Sequence, residues 1–376
     1  MTTAHSVECV DLEGAMARAA PWRDLCARAI EANVFAEPAF LLNAARHLCA
    51  PALQFLFVWE DNEARRLIGM TAILPPRFGL GVASVWQSEQ AGLAAITLDR
   101  ENGARAFESI CEWLRRERPL LCGIFIPSQQ RGGEMDRLTA AFAARQGFAG
   151  HSIDPWQRAM LLAASDESAR FEQALPGKRL KEWRRLRRRL GERGPLIFRS
   201  REDATAIEAF LSLEQKNWKG RAGAPLGRDE ARGAFARAML AGLAGENKLR
   251  IDSLELSGAP IAMGVILSSQ DRAFYWKTGY DEAFAEFSPG VLLTLDLSRK
   301  QQDDPKIATT DSCAIEGHPM IDRLWPDRLA LVDLLVAIRR GGGIWFNAWL
   351  SNRRLVRRAK ESLKPLLYRL LGRKRS

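Results

Sequence analysis

Few residues of this 376-residue chain combine types and spacing suited to chemistry, and most of those lie in its second half. The stretch from Thr309 to Pro319 places Asp311, Glu316 and His318 within eight positions. Carboxylates and imidazole are the groups that take a proton from an amine or hydroxyl nucleophile or hold such a group in place. The same stretch reads equally well as a solvated loop with Asp311 capping a turn. Tyr275 and Tyr280 are two of only three tyrosines. Tyr280 is a candidate proton donor to a leaving group, whereas core packing accounts better for Tyr275. Upstream, Trp218, Lys219 and Arg221 stand in a glycine-rich loop just past a helix end. Arg221 suits a carboxylate or phosphate on a substrate, and Trp218 suits packing across a sheet. Ser288-Pro289-Gly290 opens a helix, with proline where its missing N–H does no harm. Free amides at a helix start attract anions, and Gly290 lets a ligand approach the backbone. A plain N-cap is the competing reading.

Other chemistries find little support. The six cysteines (Cys9, Cys26, Cys49, Cys111, Cys122, Cys313) form no CxxC pair, and the four histidines do not cluster, so no metal site and no disulfide framework is signalled. Hydrophobic residues at 47% and charged residues at 27% describe a globular chain with a sizeable core. No apolar stretch is long enough to span a bilayer, and Met1 to Gly14 has neither a basic nor an apolar leader segment. A cytoplasmic location is the default expectation. The net charge of +10 is concentrated in two places. Lys178 to Leu190 carries eight basic residues and one acidic, and Ser351 to Ser376 carries ten and one. These segments exceed the net charge of the whole chain, so the remainder is mildly acidic and any anionic partner must address them.

The elements that must position these residues recur in a similar order. In the first half a helix from Pro38 to Leu48 precedes strands at Leu53 to Trp59, Arg66 to Leu74 and Gly79 to Trp86. A helix from Glu101 to Glu117 follows, then a strand from Leu120 to Ile126. A helix from Glu134 to Gln146 and a short strand from Arg158 to Ala163 complete the half. In the second half a strand at Leu196 to Arg199 leads to helices at Asp203 to Lys216 and Asp229 to Leu243. Three strands joined by short polar turns come next, at Leu249 to Leu256, Pro260 to Ser268 and Arg272 to Lys277. A helix from Pro289, a strand at Ile307 to Thr310 and a helix at Asp327 to Arg340 finish it. The expectation is an α/β (α+β) fold with two separate mixed sheets, each flanked by helices.

The second half carries a specific resemblance. Trp276-Lys277-Thr278-Gly279-Tyr280 through Ser288-Pro289-Gly290-Val291-Leu292 is similar to the signature of the CelD/BcsL-type family of GNAT acyltransferases. Trp218 to Gly223 resembles its Trp-x-x-Arg-x-Gly loop, and the helix beginning Lys178-Arg179-Leu180 resembles its arginine-rich segment. These motifs span about Lys178 to Arg340; the first half matches only in layout and in Asn33 to Pro38. The family is related in architecture to the Fem peptidyltransferases. The resemblance implies tandem GNAT-like domains: residues 1–165, a linker 166–195 with the basic amphipathic helix, an acyltransferase domain 196–343 and a basic tail 344–376. It implies acetyl-CoA or another acyl-CoA as co-substrate, no metal, and an amine or hydroxyl acceptor on an envelope, polysaccharide or lipid precursor. The donor would be held by Lys277, Thr278, Gly279, Ser288, Gly290, Val291 and Leu292. Asp311, Glu316 and Tyr280 would be catalytic, and Trp218, Lys219, Arg221 and His318 would bind the acceptor. The chain lacks the Gln/Arg-x-x-Gly-x-Gly/Ala phosphate loop of ordinary GNAT enzymes and the Tyr-Lys pair that relatives carry after Gly317. An aminoacyl-tRNA-dependent Fem-like transferase and a non-catalytic scaffold of a polysaccharide-synthesis complex are the alternatives.

The basic helix at Lys178 to Leu190 has an apolar stripe at Leu180, Trp183, Leu186 and Leu190. Its cations suit a solvated linker or an anionic substrate, with no sequence-specific nucleic-acid motif beside them. Residues 351–376 combine leucines with lysine and arginine, interrupted by Pro365. That pattern suits peripheral docking to an anionic inner-membrane surface or packing onto the protein itself.

Overall fold

The computed structural model describes residues 5–48, 52–61, 65–76, 80–216, 226, 229–340 and 344–355. Trp218, Lys219 and Arg221 lie outside the described residues, as do 356–376 of the basic tail. The first half begins with strand β1 (His5–Val10) and helices α1 (Leu12–Met16), α2 (Ala19–Ala27) and α3 (Pro38–Leu48). Strands β2 (Gln54–Glu60), β3 (Leu67–Leu74), β4 (Gly81–Val85) and β5 (Ile96–Leu98) follow. Helix α4 (Gly103–Glu117), strand β6 (Leu121–Gln130), helix α5 (Glu134–Gln146) and strand β7 (Gly150–Leu162) close it. Helix α6 (Gly177–Gly191) links to β8 (Leu196–Arg201), α7 (Ala204–Lys216) and α8 (Glu230–Gly245). The remaining elements are β9 (Leu249–Leu256), β10 (Ala259–Ser269), β11 (Arg272–Tyr280), α9 (Pro289–Asp303), β12 (Thr309–Asp311) and β13 (Asp327–Ala337). Local chemistry sets several ends. Asp203 and Asp229 accept from backbone amides at the starts of α7 and α8, and Gly147 ends α5 at φ +64°.

The strands form one continuous sheet, not two: β1-β2-β3-β4-β6-β13-β7-β12-β11-β10-β9-β8, with β5 on β3. The order is palindromic by role. Each half runs outward to inward through four strands, of which the last pairs in parallel with a fifth: β4 with β6, and β11 with β12. The two halves then exchange strands. β13 is antiparallel to both β6 and β7, and β7 is antiparallel to both β13 and β12. Thus β6 and β7 are parallel, joined through α5, with a slot between them filled by a strand from the other half. That exchange fuses the two sheets expected from the repeated order.

It also overturns the helix expected from Asp327 to Arg340. Leu331 enters the core shared by both halves, Val332, Leu334 and Val336 enter that of the first half, and Leu335 and Ala337 a smaller one on the opposite face. A strand buried on both faces has no alternation to betray it, and a leucine-rich run then mimics a helix. Bulges in β6 and β7 oppose the same short stretch of β13. Pro127 and Pro155 sit at these bulges, where a missing N–H is tolerated. Asp333 lies between them and its Oδ1 accepts from the Ser128 amide at 2.8 Å.

One core runs under both halves on a single face. Helix α3 packs on α8, with Phe40 and Phe235 edge-to-face at 5.5 Å. On the other face α4 and α5 cover the first half, and α6 and α9 the second. Residues 344–355 are helical and seat Phe346 and Leu350 against Val82, Cys122 and Ile153. Arg353 of this helix stacks 4.2 Å from the Phe125 ring and pairs with Asp154 and Asp333. The start of the basic tail therefore packs onto the protein itself. Burial pushes the Asp333 carboxyl up, and the Ser128 amide and Arg353 oppose that shift. Arg353→Ala should lower stability by about 1–3 kcal/mol, the cost of stripping a partner from the buried Asp333 and half-buried Asp154 carboxylates. Urea titration of wild type and variant checks this; equal midpoints would make the contact incidental.

Candidate active site

Strands β11 and β12 pair over only three residues, Arg272 with Thr309 to Phe274 with Asp311, and then separate. From Tyr275 onward β11 is paired only on its β10 side among the described residues. Beside the point of separation lies an open cleft of about 440 Å³. Trp276 and Lys277 of β11 and residues 313–316 after β12 form one wall, and Trp156 and Arg158 of the exchanged β7 form another. The loop 87–92, after β4, closes it from the first half. Both halves build the cleft, and the exchange of β7 brings them together there.

A bulge aims the β11 side chains. Val265 pairs with Lys277 but Ile266 with Tyr275, leaving Trp276 as an extra residue. Before the bulge Phe274 faces the shared core and Tyr275 the α9 side. Trp276 also joins the shared core, and its indole N–H donates to the Gln90 carbonyl at 2.8 Å. After the phase shift Gly279 faces α7, where an added Cβ would stand 3.3 Å from the Glu214 Cα. Burial is the main force holding the Lys277 ammonium below its ordinary pKa; Arg232 adds to it, and Glu214 and Glu89 oppose it. The Glu214 carboxyl is pushed up, chiefly by burial.

Asp311 lies at the centre of a buried ion cluster. It is fully buried, and its Oδ2 accepts from Arg158 Nη2 at 2.6 Å and Arg272 Nη2 at 3.0 Å. Its Oδ1 accepts from the Cys313 amide at 2.9 Å. Burial alone would raise its pKa, but the two guanidiniums win and hold the carboxyl below its usual range. A carboxylate so stabilised is a weak proton acceptor. Glu316 does line the cleft, exposed, with Oε1 accepting from the Gln157 amide at 3.3 Å. Tyr280 lies instead at the far end of β11 against the start of α9, where a Cβ on Gly290 would stand 3.4 Å from its ring. His318 Nδ1 accepts from the amides of Met320 and Ile321 at 3.3 and 3.5 Å, capping a short turn, and is not part of the cleft wall. Burial lowers its pKa.

The expected donor residues divide similarly. Lys277, Thr278 and Gly279 occupy the separated edge, and the Thr278 hydroxyl donates to the Met263 carbonyl at 3.2 Å. At α9, Ser288 is left-handed (φ +51°), and its carbonyl takes the amides of Val291 and Leu292 at 2.9 and 3.1 Å. The expectation of three free amides at Gly290, Val291 and Leu292 is reduced accordingly. Sequence reasoning missed Arg158, Arg272, Trp156 and the 87–92 loop. An arginine opening an otherwise apolar strand, as Arg272 does, was the available sign of a buried carboxylate partner.

The sequence model for the acetyltransferase (GNAT) domain matches residues 177–313. No curated protein matches the chain. Among solved structures, FemX is similar over 87% of this chain and 96% of its own, with a TM-score of 0.56 at 9% identity. The C-terminal domain of a putative lysylphosphatidylglycerol synthetase from Agrobacterium fabrum is similar over 90% of this chain and 96% of its own (TM-score 0.51, 11% identity). A tandem GNAT protein from the clavulanic acid biosynthesis pathway covers 90% of this chain and all of its own (TM-score 0.42, 17% identity). The second half contains the segment that matches the acetyltransferase (GNAT) domain, and the chain as a whole shares its fold with FemX and with that synthetase domain.

Proposed function

We propose that the chain is an acyl-CoA-dependent N- or O-acyltransferase, acting on a cell-envelope, polysaccharide or lipid precursor. The observation that carries this reading is the separation of β11 from β12 at the wall of a cleft shared by both halves. A strand edge with free backbone groups suits the amide-bearing arm of a CoA thioester. The arm would run along Lys277, Thr278 and Gly279, with the pyrophosphate toward Ser288 and Gly290. The acceptor amine or hydroxyl would enter through the cleft, past Glu316. The CelD/BcsL-type resemblance favours an envelope acceptor, reached from the cytoplasmic face of the inner membrane.

Calorimetric titration with acetyl-CoA tests the donor. Ala314→Trp, which fills the cleft wall, tests the acceptor route. The variant should keep the donor affinity of the wild type. Its release of free thiol from acetyl-CoA with a panel of amino sugars, ethanolamine and glycerol should fall by roughly tenfold or more, about 1.4 kcal/mol of lost transition-state binding. A wild type that binds no CoA thioester would remove the reading. The exposed Lys178, Lys181 and Arg184 of α6 favour one alternative, an aminoacyl-tRNA donor. Gel-shift titration with bulk aminoacyl-tRNA over a salt series separates it from the first.

A further inference from the structure

Acyl transfer to an amine or hydroxyl needs a group that removes the nucleophile's proton at the point of attack. Among the described residues, the titratable side chains lining the cleft are Glu89, Arg158, Lys277, Cys313 and Glu316. Glu89 is engaged by Arg232 at 2.8 Å. Arg158 is pinned on Asp311 and is always charged. Burial, with Asp311 next, raises the Cys313 thiol, which keeps it protonated. Glu316 sits exposed at the rim, with its Oε1 engaged by the Gln157 amide at 3.3 Å. Lys277 is the remaining group, and it stands in the cleft wall three residues beyond Phe274, the last β11 residue paired with β12, just after the bulge at Trp276.

We propose that Lys277 is the general base of the reaction and returns the proton to the leaving thiolate, with the Gln90 carboxamide oxygen receiving an N–H or O–H of the acceptor. The inference rests on the acyltransferase reading and extends it. Gln90 Oε1 lies buried in a residue lining the cleft and has no hydrogen-bond partner among the described residues. A buried acceptor without a donor is costly unless a ligand supplies one. The charged and titratable groups around Lys277 are Glu214 of α7, Arg232 of α8, Glu89 of the 87–92 loop and Cys313 after β12. Burial outweighs the attraction of the two carboxylates, so the neutral amine is available nearer neutrality than in an ordinary lysine. In the step itself the acceptor nitrogen or oxygen bonds to the thioester carbon while its proton passes to Lys277 Nζ. The C–S bond then breaks, and the ammonium of Lys277 protonates the CoA thiolate.

The test uses the full chain with acetyl-CoA and ethanolamine, reading thiol release from pH 6 to 9.5 and donor affinity by calorimetry. Lys277→Met, which keeps the backbone edge that the donor arm would use, should lower kcat/KM by about 10²-fold or more and remove the part of the rise in rate with pH that deprotonation of ethanolamine itself does not account for, while changing acetyl-CoA affinity far less than the rate. Trimethylamine, a base that cannot become a stable acyl acceptor, should restore part of the Lys277→Met rate. Lys277→Arg, which keeps the charge, should be equally slow. Competitive labelling of wild-type lysines with acetic anhydride across pH provides a readout independent of turnover, and Lys277 should titrate below the other lysines. A variant rate within threefold of wild type overturns the proposal, as does a rate lost in step with donor affinity or an ordinary labelling pKa for Lys277. If ethanolamine is not an acceptor, the labelling result decides alone. Absence of acetyl-CoA binding by wild type would remove the functional reading, whatever the labelling shows.

Discussion

Replacing Asp311 by alanine should cost about 3–5 kcal/mol of stability, because two buried guanidiniums would be left without their counter-charge. The Arg158 side chain is 2% exposed and that of Arg272 is 10% exposed, against none for Asp311. Neither cation can reach water by a simple rotation, and neither can shed its proton. The loss is a large part of the 5–15 kcal/mol typical of a folded domain. The three residues also come from both halves, Arg158 from β7 and the other two from β11 and β12, so the damage falls on the seam. The pH dependence has a definite sign. Arg158 and Arg272 hold the folded carboxyl below its unfolded value of about 3.9. The stabilisation is therefore fully present above that value and is lost as pH falls through the lower folded pKa. Urea titrations of wild type and Asp311→Asn should differ most at neutral pH and converge in acid. A variant as stable as wild type but inactive would return Asp311 to a catalytic role.

The same residue shows how far the sequence could be read. Asp311 was legible as important, since it stands alone between a strand and a glycine-bearing loop. Its role was not legible, because the cations that neutralise it are 153 and 39 positions away. Arg158 is especially hidden: it belongs to a half that the resemblance barely touches, and reaches Asp311 only through the strand exchange. The second-half meander was legible almost residue by residue, since the short polar turns that bound its strands are local signals. Helices α3 and α5 were legible to their ends because Pro38 opens the first and Gly147 closes the second.

The central strands were not. The expected strand from Leu120 stopped at Ile126 because Pro127 reads as a terminator, yet β6 runs to Gln130. The strand expected from Arg158 begins eight residues earlier, at Gly150, upstream of Pro155. In both cases a bulge opposite β13 accommodates the proline. Strand β13 itself is legible only once its two neighbours are known, because nothing local distinguishes a doubly buried strand from a buried helix. The cleft inherits that difficulty, since its β7 wall and its 87–92 wall come from the half that the resemblance matches only in layout and at Asn33 to Pro38.

Severing the chain between Ser165 and Asp166 should yield two pieces that fail to fold separately and fold when produced together. In residues 1–165 the parallel strands β6 and β7 would be separated by an empty slot one strand wide, because β13 is the strand that pairs with both. In residues 166–376 the parallel strands β12 and β13 would lack β7 between them. Neither half can close its slot by sliding its own strands together. Its two flanking strands are parallel, whereas each now makes antiparallel bonds along the missing strand, so every register would have to be rebuilt. The β13–β7 ladder alone runs from Asp327 opposite Met160 to Val336 opposite Gly150. The open edges left behind would be long, apolar and prone to aggregate. Cutting at this place leaves Phe171 in the second piece, with its buried partners and with the Gln302 Oε1 that accepts from its amide at 3.1 Å. Each piece expressed alone should therefore appear in the insoluble fraction or lack a cooperative melt. Co-expressed, they should purify as a 1:1 complex through an affinity tag on either one. The restored seam re-creates the cleft, so acetyl-CoA binding should return only with the complex. A first piece that is monomeric, folded and cooperative by itself would mean that the strand exchange is not what holds the halves together.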